Sequence, residues 1–372
     1  VSLTSHFMPG HIRTAPWVKC NVNKTNFIIN DTVWNINPAE ITYHDNTVDV
    51  NDVRIWSGNQ YLTIDGRASA ASTDTIKMRL KNMDLDYVFG TLGINYVNFG
   101  GMATGDFIGY SLMSKTPVAY TPELFVKGLT YNGGLLGDAN IRSWWDGTDK
   151  KVALQAKINE KGKRVADING GIWLGKDSLS FGLDASKVNI KFLQPFMAAF
   201  TSNVSGRASG ETLLYGTFKD INLRGRVFAD TISMLVDYTN TVYSGSDSVI
   251  IDPGYINVSN FTLHDTEGHT ATLNGWVRHR YFHEPSFEFK ISNARNFLCY
   301  NTNSLINPDW YGTIYGNGGG TISGHPGVVD ILVDMQTAPK STFTFVLSDR
   351  EDAADYTFLT FSDRRKDEEL AK

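Results

Sequence analysis

The chain has 372 residues, of which 41% are hydrophobic and 20% charged, so it can bury a core and wholesale disorder is excluded. A net charge of −5 without a basic stripe offers no footprint for nucleic acid, and the one dense charge run, residues 364–369, reads as a solvated tail. Cys20 and Cys299 lie 279 residues apart with no metal spacing around them, and no run of about 18 apolar residues is present to span a membrane as a helix.

Aromatic residues make up 12% of the chain, a leaning toward strands. In chain order, residues 75–81 put Ile76, Met78 and Leu80 on one face and Lys and Arg on the other. Residues 84–92 interrupt the alternation and predict a turn or two of helix. Alternation returns at Val152, Leu154, Ala156 and Ile158, then at Leu179, Phe181, Leu183 and Ala185. Residues 190–200, IKFLQPFMAAF with Pro195 in the middle, predict a short cap over one end of a sheet. Phe287, Phe289 and Ile291, then Ile331, Val333 and Met335, continue the series. Turn signals such as NGG, SGNQ, DTEGH and SDRED separate these runs. The pattern predicts an all-β fold whose strands have one apolar and one wet face.

Glycine supplies a longer rhythm. A GxxxG occurs at Gly101–Gly105, Gly206–Gly210 and Gly316–Gly320, and strands ending in glycine occur at Gly66, Gly170 and Gly275. In alternating strands these glycines mark bends or close backbone approach, not helix dimerisation. The recurrence near 105 residues predicts three related β-units, 1–109, 110–216 and 217–340, with terminal strands and a charged tail over 341–372, all in one elongated domain. Stacked units bury their apolar faces together. Their interior either packs dry or remains an apolar trough, in which an acyl chain gains about 0.8 kcal/mol per CH₂ removed from water. Alternation leaves both outcomes open.

Chemistry-bearing patterns are few. His264, His269, His279 and His283 form the densest histidine group, yet they lack HExxH or convergent ligand spacing and read as structural or solvent-facing. No GxSxG or Walker pattern occurs, and the carboxylates at Asp84/Asp86 and Asp349/Glu351/Asp352 sit in turn-like segments. The expectation is a non-catalytic chain without metal or cofactor. Trp144, Trp145, Trp310 and Tyr311 permit stacking on sugars, core or groove-rim packing being the plainer reading.

The second half carries an ordered series of strings: ISMLVDYTNTVYSGSDSVIID (232–252), FTLHDTEGHTATLNGWVRHRYF (261–282), WYGTIYGNGGGTISG (310–324), and a closing FTFVLSDREDAADYTFLTFSDR. This order resembles the C-terminal region of TamB-like proteins, of the AsmA-like and bridge-like lipid-transfer group, in the form typical of Bacteroidetes. His269 departs from the asparagine that the family usually has after the glycine at Gly268. RIWSGNQYLTIDGRAS and LLGDANIRSWWDGTDKKVAL in the first half resemble the preceding segment of such proteins.

The resemblance implies a long, curled, antiparallel-rich sheet (a β-taco) with an apolar groove, which tilts the expectation from dry core to trough. It implies a periplasmic location, an inner-membrane anchor upstream of this chain, and phospholipid passage between the inner and outer membranes. It also implies a possible partner, an Omp85 barrel of the TamA type, for assembly of outer-membrane or autotransporter proteins. The groove expectation rests on Leu62, Ile64, Ile76, Met78, Leu80, Leu154, Ile158, Ile168, Ile172, Phe181, Leu183, Leu273, Val277, Phe287, Phe289, Ile291, Ile331, Val333, Phe343 and Phe345. The edge strand for a protein partner is expected at Tyr356, Phe358 and Phe361.

Overall fold

The computed structural model describes residues 3–8, 17–91, 98–198 and 201–346; Tyr356, Phe358 and Phe361 lie outside the described residues. Eight strands come first: β1 (Leu3–Met8), β2 (Trp17–Val22), β3 (Thr25–Ile29), β4 (Thr32–Ile36), β5 (Ala39–His44), β6 (Thr47–Ser57), β7 (Gln60–Ala68) and β8 (Thr75–Asp84). A short helix, α1 (Leu85–Thr91), precedes β9 (Phe99–Tyr110), β10 (Val118–Tyr131), β11 (Gly134–Asp146), β12 (Lys151–Glu160), β13 (Lys163–Trp173) and β14 (Ser178–Asn189). A 3₁₀ turn (Lys191–Leu193) and α2 (Gln194–Met197) lead to β15 (Thr201–Thr217), β16 (Ile221–Val236), β17 (Thr241–Asp252), β18 (Tyr255–His264), β19 (Thr270–Arg280), β20 (His283–Thr302), β21 (Trp310–His325), β22 (Val328–Thr337) and β23 (Thr342–Phe345).

The chain is all-β, and its described strands form one antiparallel sheet. From β5 to β22 each strand pairs with the next, as consecutive hairpins. Short turns explain the tight connections: Asp45 and Asn46 take φ of 45° and 57° between the paired His44 and Thr47, the left-handed geometry that Asp and Asn tolerate. At one end β2 pairs with β5 and β1 with β2, while β4 joins β6 beyond the end of β5. At the other end β22 and β23 pair with different stretches of β21. The two ends do not meet, so the sheet is not closed.

The sheet is creased along its length. At Asp52, Asn82, Gly128, Lys187, Thr231, Asn260 and Asn296 the backbone turns left-handed, with φ of 47–62°. Each lies at or beside a register shift on an even-numbered strand. Each bulged N–H donates to a side chain of the following strand: Asp65, Thr104, Asp138, Ser209, Ser246, Asn274 and Asn317, at 2.7–3.1 Å. A bulge bends its strand and sharpens its twist, and repeated along the sheet it folds the apolar face inward. Every one of these acceptors adjoins a glycine in the sequence. The landmark glycines Gly66, Gly105, Gly210 and Gly275 therefore mark this crease, which recurs at nearly every second strand, a shorter rhythm than 105 residues. The ladder runs unbroken past residues 109 and 216, near the ends of β9 and β15.

Gly210 shows why glycine is needed. Its φ is +149°, and a Cβ there would lie 2.3 Å from the Arg226 carbonyl oxygen on the neighbouring strand. Gly210→Ala is expected to cost about 2–3 kcal/mol, read as a lower urea midpoint at unchanged m-value. Gly162→Ala, in a turn with open space around it, should cost about half as much.

Two dry clusters fill the crease. Ala103, Val126, Leu129, Ala139, Ile158 and Val165 make the first. Ala229, Phe261, Leu263, Ala271, Ala294 and Phe297 make the second. The expected helical segments lie at one end of the strands. Leu85 of α1 packs on the first cluster, and Phe192 of the 3₁₀ turn meets Tyr131 at 5.9 Å. Pro195 sits in the first turn of α2, where it loses no helical hydrogen bond.

Candidate functional site

Cross-strand partners share a face of a sheet. Leu80 faces Gly105, which faces Leu124, and the row continues through Ile141, Ala156, Ile168 and Leu183. It then passes Thr212, Gly225, Ile251, Ile256 and Val277 to Phe287. Followed in this way, all twenty groove positions read from the sequence lie on one face. The face is concave. Tyr243 on β17 stacks on Phe297 on β20 at 5.0 Å, and its hydroxyl donates to the Leu298 carbonyl at 2.9 Å. Three strand spacings in a flat sheet would hold them about 14 Å apart.

The twenty positions do not all serve the same part of the groove. Ile158 is buried inside the first dry cluster, and Ile168, Leu273 and Ile291 pack against the two clusters. Leu62, Ile64, Ile76, Met78, Leu80, Leu154, Ile172, Phe181, Leu183, Val277, Phe287 and Phe289 are half-buried along the open trough. Ile331, Val333, Phe343 and Phe345 are exposed on the last strands. So the dry interior and the open trough coexist, the first in the crease and the second beside it.

Phenylalanines lie over inward-facing glycines of the adjoining strand. A Cβ on Gly170 would meet the Phe181 ring at 2.7 Å, one on Gly275 the Phe289 ring at 2.3 Å, and one on Gly324 the Phe287 ring at 3.0 Å. The missing side chain lets each ring lie flat, giving the trough a smooth apolar lining. Leu214, Leu223, Val249, Ile251, Ile256 and Ile322 share this face and were not among the expected positions. Leu214 shows the reason: it stands beside Leu213 in ETLLYGT, and alternation cannot say which of two adjacent leucines turns inward.

The opposite face carries the charges. Arg79 forks onto both Asp106 oxygens at 2.7 and 3.1 Å, and the guanidinium holds that carboxyl below its ordinary pKa. Arg67 pairs with Asp49 on the same face at 2.5 Å.

One polar latch closes the crease in the third quarter of the chain. The Asp265 carboxylate, fully buried, accepts from the backbone N–H groups of Glu267, His269 and Leu298 at 2.8–2.9 Å and lies 3.0 Å from His269 Nδ1. Burial pushes its pKa up, but these hydrogen bonds outweigh that and hold it below the ordinary value. His269 thus belongs to the latch. His279 stacks on Phe282 at 4.6 Å, and burial lowers its pKa. Among the described residues no helix is long and apolar enough to cross a membrane.

Comparison of the chain with protein-family models, with curated proteins and with solved structures finds no match in any of the three.

Proposed function

We propose that this chain is the groove-bearing part of a cell-envelope protein that shields phospholipid acyl chains in transit between the inner and outer membranes. The observation that supports the reading is the single concave face on which all twenty apolar positions align, in a sheet that stays open. Such a face takes hydrocarbon from water without needing a closed cavity, and each CH₂ it covers contributes up to about 0.8 kcal/mol. The TamB-like resemblance of the second half agrees with this use. In this reading the full-length protein lies in the periplasm and is anchored in the inner membrane. Native mass spectrometry of the purified chain tests it, together with photo-crosslinkers at Phe181 and Phe289. Phospholipid adducts at these sites and not at exposed outer-face sites are the expected result. Equal labelling of both faces, or no adduct at all, sinks the idea.

A second reading is favoured by the edge of β22. Among the described residues this strand pairs only with β21, and Leu332 and Val333 are 70% and 66% exposed on its two faces. An unpaired apolar edge recruits a further strand, as an assembly module working with an Omp85 barrel of the TamA type requires. Retention of a TamA-type barrel by the full chain, lost when Leu332→Lys and Val333→Lys are introduced on β22, would support it; no retention by the full chain would end it.

A further inference from the structure

The charged face carries a hollow in two adjoining parts, on the side away from the groove. Across five strands one register row reads Trp144, Ala153, Gly171, Ser180 and Tyr215. Two aromatic walls thus stand four strand spacings, about 19 Å, apart over a floor of small side chains. Between them lie two adjoining hollows of about 510 and 480 Å³ that share Trp173, Ser180 and Leu213. Trp144 is 46% exposed. The next row brings Asn169 to the first of these hollows and Arg224 to the second.

Its chemistry differs from that of the groove. Lys151 sits 5.4 Å over the Trp173 ring and Arg224 5.5 Å over Tyr215, so each of these rings has a cation beside it. Lys151 is shared with Asp146 and Asp149. Arg224 and Lys176 have no carboxylate partner among the described residues, and the Asn169 and Ser180 side chains have no hydrogen-bond partner among them. Flat aromatic walls, a floor low enough for a ring to lie on, and free donors and acceptors suit a ligand with apolar ring faces and polar edges. The unpaired cations ask that it also carry negative charge. A lipid tail has neither polar edges nor charge.

We propose that this hollow binds a short oligosaccharide bearing acidic groups, its sugar rings against Trp144 and Tyr215 and its carboxylates or phosphates toward Arg224 and Lys176. The site is on the face opposite the groove and does not depend on lipid passage. The 372-residue chain is titrated by calorimetry and tryptophan fluorescence with a galacturonate hexamer, and with xylohexaose as its neutral counterpart. The acidic hexamer is expected to bind. Trp144→Ala, Tyr215→Ala and Arg224→Gln should each weaken it at least tenfold, with circular dichroism unchanged. Phe228→Ala, exposed on the same face but outside the hollow, should bind like the parent. No binding of either hexamer, or binding that survives both aromatic replacements, overturns the proposal. Equal affinity for xylohexaose overturns its acidic part.

Discussion

Replacing Phe289 by aspartate is expected to strip the chain of bound phospholipid while leaving it folded. Phe289 is midway between Gly275 on β19 and Ile322 on β21, and its ring covers the inward face of Gly275. A carboxylate at that point stays hydrated only if the hydrocarbon leaves. Keeping both would place an unpaired charge against an acyl chain, at a cost of several kcal/mol. The fold has less at stake, because the ring is half-buried and losing its contacts costs about 1–2 kcal/mol. Lipid retained after detergent-free purification is the readout, by native mass spectrometry. Phe228→Asp, on the outer face, should retain parental lipid. If Phe289→Asp keeps its lipid, acyl chains do not pass over this row.

The largest stability loss is expected from Asp265→Ala, about 3 kcal/mol by urea denaturation at pH 7. The alanine leaves the buried Leu298 N–H without its acceptor, and frees the turn from Asp265 to His269. Asp265→Asn keeps one oxygen and should lose about half as much. The folded pKa lies below the unfolded one, near 3.9. The carboxylate's contribution is therefore complete above about pH 5 and drains away as pH falls through the folded value. Parent and Asp265→Ala should converge in stability in acid. A gap that persists below pH 2 would mean that the side chain acts by shape and not by charge.

Much of this molecule is legible in its residues. Alternation at Ile76–Leu80, Leu154–Ile158 and Phe287–Ile291 shows strands with one apolar face, because side chains in a strand have period two. The interruptions at 84–92 and 190–200 mark the two helical segments, since neither alternates and one holds Pro195. The glycine landmarks are visible too, but their meaning is not. A bulge is a relation between two strands, and the partner that catches its N–H, Asp65 for Asp52 or Asn274 for Asn260, is 13 or 14 residues away. Nothing local distinguishes such an aspartate or asparagine from a turn residue. Asp265 is a similar case: it reads as part of DTEGH, and only the tertiary structure brings Leu298, 33 residues on, to its oxygen.

The sequence by itself determined the strand class, the two-sided character of each strand, and which side chains could share an apolar face, because period and pairing parity are local properties. Only the tertiary structure decided that this face is concave, that its crease is dry while its flank stays open, and that Trp144 and Tyr215 wall one hollow. Curvature accumulates from bulges that are each fixed by a hydrogen bond between strands, and no single stretch of residues contains that sum.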